Sequence, residues 1–292
     1  MTRTSSDDAA RPRSGPAGGA PLFVRAGQAV HAGGRLGDLV PRRPEGITGN
    51  QWGAAVRTQF DLVVRPADGG PPLFATAIGP AYPAGSPGQR AERSRDAVCA
   101  AVGLPVLRIE SPLLRPAAHG RRIVEYVIDA RSYAAAAPEP AADPDDAPVD
   151  FRDIVGRLPD GRTGHVNDLG ALSRAAAVEA YVSRRLSDPI VRGLHVRWSD
   201  GAAEGWSWVE VRPGQCLVER VTVREQRFRC GVDPARLAED LAAVAVGDRL
   251  RLPESEEPVL VERDALRREI RALRDRRDEL AGGFAFDHLC VD

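Results

Sequence analysis

The sequence predicts an α/β domain followed by an α+β domain, and three observations predict it. Two low-complexity runs, residues 1–20 and 134–149, are rich in Pro, Asp and small residues and bracket the first globular stretch. Between them, segments follow in the order strand, strand, helix, strand, helix, which is the order of an α/β domain. Beyond the second run, residues 193–229 alternate apolar and polar side chains as antiparallel strands do. The expected plan is a disordered tail (1–20), an α/β domain (21–133), a Pro/Ala/Asp linker (134–149) and an α+β domain (150–292) ending in a charged helix.

Each element has a local reason. "QFDLVVRP" (59–66) is a short β-branched run, "DGG" (68–70) is a turn, and "PLFATAIG" (72–79) is a second apolar run, so the three read as neighbouring strands. "QRAERSRDAVCAAV" (89–102) is made of helix formers, and Gly103 is its C-cap. "LPVLRIES" (104–111) reads as a buried strand, and "RRIVEYVIDARSYAAAA" (121–137) as a closing helix. In the second half, 169–186 is helical and 193–229 holds two to four strands around a "DG" turn. Residues 232–246 start a helix with Asp233 as N-cap and Pro234 in the first position. The last helix is expected over 261–283, with Leu266, Ile270, Leu273 and Leu280 on one side and Gly282 and Gly283 at its end.

Composition narrows the chemistry. The chain has 292 residues and a formal net charge of -1, so no global field draws a polyanion or an acidic membrane. All 40 basic residues are Arg; there is no Lys, hence no ammonium to donate a proton. Cys99, Cys216, Cys230 and Cys290 are far apart and form no CxxC, which argues against a zinc site and fits a reducing cytoplasm. The five His residues, His31, His119, His165, His195 and His288, show no metal-ligand spacing. The first 20 residues lack the apolar core of a signal peptide, and no apolar stretch is long enough to span a membrane.

One pattern carries more. "RLGDLV" (35–40), "FDLVV" (60–64), the strand "FATAIGPAY" (74–82) and "RSRDAVCAAVGLPVLRIES" (93–111) occur in this order. In words and spacing they resemble an uncharacterised bacterial family of the very-short-patch-repair-like branch of the PD-(D/E)xK, restriction-endonuclease-like superfamily. The resemblance covers a little over a third of the chain and implies a restriction-endonuclease-like N-terminal domain, a mixed sheet with flanking helices. In that family a strand Asp and carboxylates on the next strand hold Mg2+, which polarises the phosphate and generates hydroxide.

Carried over residue by residue, the resemblance puts Asp61 at the first acid position, as catalytic residue and metal ligand. Ala77 stands where the family has Glu, the following acid is missing between Ile78 and Gly79, and Tyr82 replaces a His. Arg95, beside Asp96, takes the place of the helix Lys. Asp61, Arg95 and Asp96 are therefore the candidate catalytic residues in vestigial form, and Arg93 and Arg95 are candidates for phosphate contact. Arg93 and Asp96 share a helix face, and a solvated, ion-paired surface is the commoner outcome for such a charge run. Trp198, Trp206 and Trp208 could stack on bases, but packing on a sheet face is the more frequent use of such residues.

The leading expectation is a degenerate, inactive nuclease-like protein of a bacterial cytoplasm, with nucleic acid or an unidentified protein as partner, no cofactor and no membrane. One rival is an active nuclease in which Asp61 with Glu92 or Asp96, or more distantly Glu110, holds Mg2+. The other is a protein-interaction scaffold unrelated to nucleic acid.

Overall fold

The computed structural model describes residues 19–136, 149–158, 161–251, 259–281 and 285–287. The expected tail lies outside them up to residue 18, as do residues 137–148 of the expected linker, while residues 134–136 are helical. The fold is mixed α/β, with multistranded sheet flanked by helices. It divides into two compact units: residues to Asp129 with Glu225–Cys230, and Ala130–Arg224 with Gly231 onward. Among the described residues no helix is long and apolar enough to cross a membrane.

The first unit carries five strands in sequence order, β1 (Phe23–Arg25), β2 (Gln28–Ala32), β3 (Leu62–Pro66), β4 (Phe74–Gly79) and β5 (Val106–Glu110). Neighbours are antiparallel except β4 and β5, which run parallel. Two short helices, α1 (Leu36–Leu39) and α2 (Gly49–Ala55), lie between β2 and β3 in sequence. A parallel pair needs a crossover, and α3 (Pro87–Val102) supplies it. Strands β3 to β5 are buried along almost their whole length. That is why their sequences read as continuous apolar runs rather than alternating ones. Phe60, Val63, Ala75, Ala77 and Val106 pack with Val98 and Cys99 of α3 and with Leu36 and Leu39 of α1.

Helix α3 begins and ends by local chemistry. The Ser86 hydroxyl accepts the Gln89 N–H, Pro87 fills the first turn, and Gly103 closes the helix in the left-handed region at φ 70°. The late segment Glu225–Cys230 belongs to this unit. The Gln226 side chain donates to the Asp96 carbonyl at 2.6 Å, and the Phe228 ring lies 4.5 Å from that of Phe74.

Helix α4 (Arg121–Ala136) carries the chain into the second unit. There a small hairpin, β6 (Val155–Arg157) with β7 (Thr163–His165), precedes α5 (Ala171–Val182). Three long strands follow, β8 (Arg192–Arg197), β9 (Ala202–Arg212) and β10 (Gln215–Gln226), within the expected two to four. Helix α6 (Pro234–Arg251) starts as expected, with the Ala235 N–H donating to Asp233 Oδ1 at 3.0 Å. The last elements are β11 (Val261–Glu262), α7 (Arg263–Asp275) and β12 (Ala285–Asp287); β11 pairs with β10 and β12 with β8, both antiparallel.

The two faces of this sheet obey the strand period of two. Val209 and Leu217 point to α5 and α6, while Trp206, Trp208 and Cys216 point to Leu266, Ile270 and Leu273 of α7. Helix α6 comes so close to β9 that a Cβ on Gly205 would stand 2.0 Å from the Glu239 nitrogen. One expectation needs correction. The last helix does not run over 261–283: residues 261 and 262 pair with β10, the helix spans Arg263–Asp275, and Leu280 lies beyond it. Trp206 and Trp208 are 4% exposed, so for these two the sheet-packing reading holds and their ring faces are spent on the core.

Candidate functional site

The first unit holds a cavity of about 780 Å³ where the last residues of β4, the loop after it, the first turns of α3 and the segment before β3 meet. Four arginines line it, Arg57, Arg90, Arg95 and Arg108, against two carboxylates, Asp61 and Glu92. The cavity is thus positive in a chain whose total charge is -1.

Asp61 sits just before β3, at the point where three strands are tied together. Its N–H donates to the Thr76 carbonyl at 2.8 Å, and its carbonyl accepts from Gly33 at 2.7 Å. Its Oδ2 accepts the Ile78 N–H at 2.6 Å. Burial pushes the carboxyl above the usual Asp range, opposed by that N–H and by the charges of Arg108 and Arg95.

The centre of the site is Arg108, on β5. Its Nε donates to Glu92 Oε1 at 2.6 Å. Its Nη1 is 3.2, 3.3 and 3.0 Å from the carbonyls of Ala77, Gly79 and Ile109, and its Nη2 donates to the Pro80 carbonyl at 2.9 Å. The guanidinium therefore fastens the end of β4 to β5 and to α3. Arg95 adds a second cation: its Nη2 reaches Glu92 at 3.3 Å and Asp96 at 2.9 Å, and its guanidinium lies 5.7 Å from the Phe60 ring centroid.

Of the residues singled out in the sequence, Asp61 and Arg95 line the cavity, whereas Arg93 and Asp96 do not; Arg93 is exposed. Glu92 lines it too, already claimed by two guanidinium groups. Glu110 ends β5 opposite Gly79. Cys99 faces the core, and burial pushes its thiol up to about 12, so it stays protonated. The sequence reading missed Arg108, although its signal was present: one charge inside a buried strand requires a partner.

This donor set does not fit a hard divalent cation. Ala77 supplies no side-chain oxygen, one oxygen of Asp61 is held by a backbone N–H, and Glu92 is neutralised by Arg108 and Arg95. Two fixed positive charges beside Asp61 would repel Mg2+ and would attract an anion.

The second unit has its own ionic cluster, around the buried Asp240 of α6. Arg152 Nη2 lies 3.0 Å and Arg174 Nη2 4.0 Å from Asp240 Oδ1. Asp168 pairs with Arg174 and accepts the Gly170 N–H at 2.7 Å. His195 Nδ1 lies 2.5 Å from Glu239 Oε2. Burial, then the negative charge of Asp168, pushes Asp240 well above the usual Asp range. Comparison of the chain with protein-family models, with curated proteins and with solved structures returned no match.

Proposed function

We propose that the first unit is a restriction-endonuclease-like domain that binds nucleic acid at its arginine-lined cavity without hydrolysing it, in a bacterial cytoplasm. The observation that carries this reading is the Arg108 guanidinium, held by Glu92 and four backbone carbonyls beside Asp61. A guanidinium is a permanent cation. It attracts a phosphate as a metal ion does, but it neither ionises a bound water nor takes up a proton. Asp61 alone then lacks the partner carboxylates that two-acid metal chemistry needs. The positive cavity also answers the objection from net charge, because binding is set by the local field.

The test is a cleavage and binding assay on single- and double-stranded DNA and RNA with Mg2+, Mn2+ or a chelator. We expect uncut strands and binding that weakens steeply with salt. Metal-dependent cleavage that disappears in Asp61→Asn would instead establish the active nuclease, with Glu92 released from Arg108. Salt-insensitive behaviour toward every nucleic acid would favour the protein-scaffold reading.

A further inference from the structure

Resting on that reading, we infer that the cavity takes one unpaired nucleotide, with its phosphate between Arg57 and Arg90 and its base on Tyr82.

The first argument is size. A phosphate needs only a shallow cradle, whereas about 780 Å³ lies within the range of sites that enclose small organic molecules, roughly 300–1,000 Å³. The second is how the four arginines are engaged. Arg95 and Arg108 are buried and held by Glu92, so they set the field but are not free to turn toward a ligand. Arg57 and Arg90 are exposed at the same cavity. Arg57 makes no hydrogen bond or ion pair among the described residues, and Arg90 donates only to backbone, at Gly85. Two guanidinium groups without carboxylate partners lining one cavity can act as a fork for an anion. The first turn of α3, at Pro87 and Gly88, lines the same cavity and adds its dipole with the same sign.

The third argument is Tyr82. It is the one aromatic residue lining the cavity, and it remains 49% exposed. A Cβ on Gly88 would lie 2.3–2.9 Å from three atoms of its ring, so the ring rests against the Gly88 backbone. Gly88 thus supports the ring without covering it with a side chain. A ring backed on one side and half open to solvent is a platform for a flat partner, and every base has such a face. A base inside a duplex is stacked on its neighbours and cannot reach such a platform unless it is unpaired or swung out. A strand end or gap, and a free nucleoside monophosphate, share this chemistry.

The test is fluorescence anisotropy with a labelled single strand bearing a 5′-phosphate, the same strand without it, and a blunt duplex. It is run on the wild type, Tyr82→Ala, Tyr82→Phe and Arg57→Gln/Arg90→Gln. We expect the phosphorylated single strand to bind at least 10-fold more tightly than the duplex. Tyr82→Ala should lose on the order of 10-fold for the single strand and nothing for the duplex, while Tyr82→Phe retains the wild-type value. Displacement by a nucleoside monophosphate at equal concentration would identify a free nucleotide as the ligand; displacement by strands alone would identify a strand end. Equal binding of single strand and duplex, unchanged by Tyr82→Ala, overturns this inference and leaves the nucleic-acid reading standing. No binding of any strand or monophosphate overturns both.

Discussion

The two units each contain a cluster of arginines and carboxylates, and the clusters differ in how they are satisfied. In the first unit, Arg108 makes directed hydrogen bonds to Glu92 and to four carbonyls, and the cluster faces a cavity. In the second, Asp240 is 0% exposed and lies near Arg152 and Arg174, yet neither of its oxygens accepts a hydrogen bond from the described groups. The first arrangement uses charge to hold backbone in place and leaves an excess of positive field toward solvent. The second buries carboxylates of like sign together, and burial with the charge of Asp168 pushes the Asp240 carboxyl well above the usual Asp range. The same residue types thus line an open cavity in one unit and a buried core in the other. What separates them is backbone carbonyls and solvent access, not composition.

Four variants break or sharpen this contrast. The largest effect is expected from Arg108→Ala. It leaves a carboxylate that is 13% exposed without its main partner and several carbonyls without their donor. Breaking such a buried pair costs about 3–5 kcal/mol, and urea unfolding of the variant should read that loss. Gly205→Ala comes next. Its Cβ would stand 2.0 Å from the Glu239 nitrogen, so α6 must move off β9. Overpacking of this kind costs about 1–3 kcal/mol, seen as a lowered Tm.

Asp240→Asn tests the sealed cluster through pH. The folded carboxyl is raised above 3.8, so the folded chain holds the proton more tightly than the unfolded chain does. The contribution of this group to stability is therefore greatest below about pH 4 and falls as pH rises through the folded value. The stability of the wild type relative to Asp240→Asn should fall over that window, and a difference independent of pH would contradict it. Arg57→Gln is the smallest perturbation. An exposed side chain without a partner among the described residues should change stability by less than ~0.5 kcal/mol. It should still lower the slope of log affinity against log salt by roughly one.

What was legible in the sequence was local. Gly103 marked the end of α3 because only a left-handed residue closes the helix there. Ser86 and Pro87 announced its start just as clearly, three and two residues before the helix read from its formers alone. Asp61 was singled out by the resemblance of the run "FDLVV", not by any local rule. Non-local pairing was not legible. Val261 and Glu262 look helical in their own window, and only the partner strand makes them β. Arg108 was passed over because its meaning depends on Glu92, 16 residues away, and on carbonyls of β4. Arg57 and Arg90 become a pair only once β3 and α3 frame one cavity.

The membership of Glu225–Cys230 in the first unit bears on how the chain is made. A ribosome releases residues 19–129 long before Phe228, yet Phe228 packs on Phe74 and Gln226 ties the Asp96 carbonyl. The first unit therefore cannot finish folding during its own synthesis and waits, with the α3 side incomplete, until nearly a hundred further residues have emerged. A fragment ending after α4 should be protease-sensitive, and a peptide spanning 225–230 added in trans should protect it.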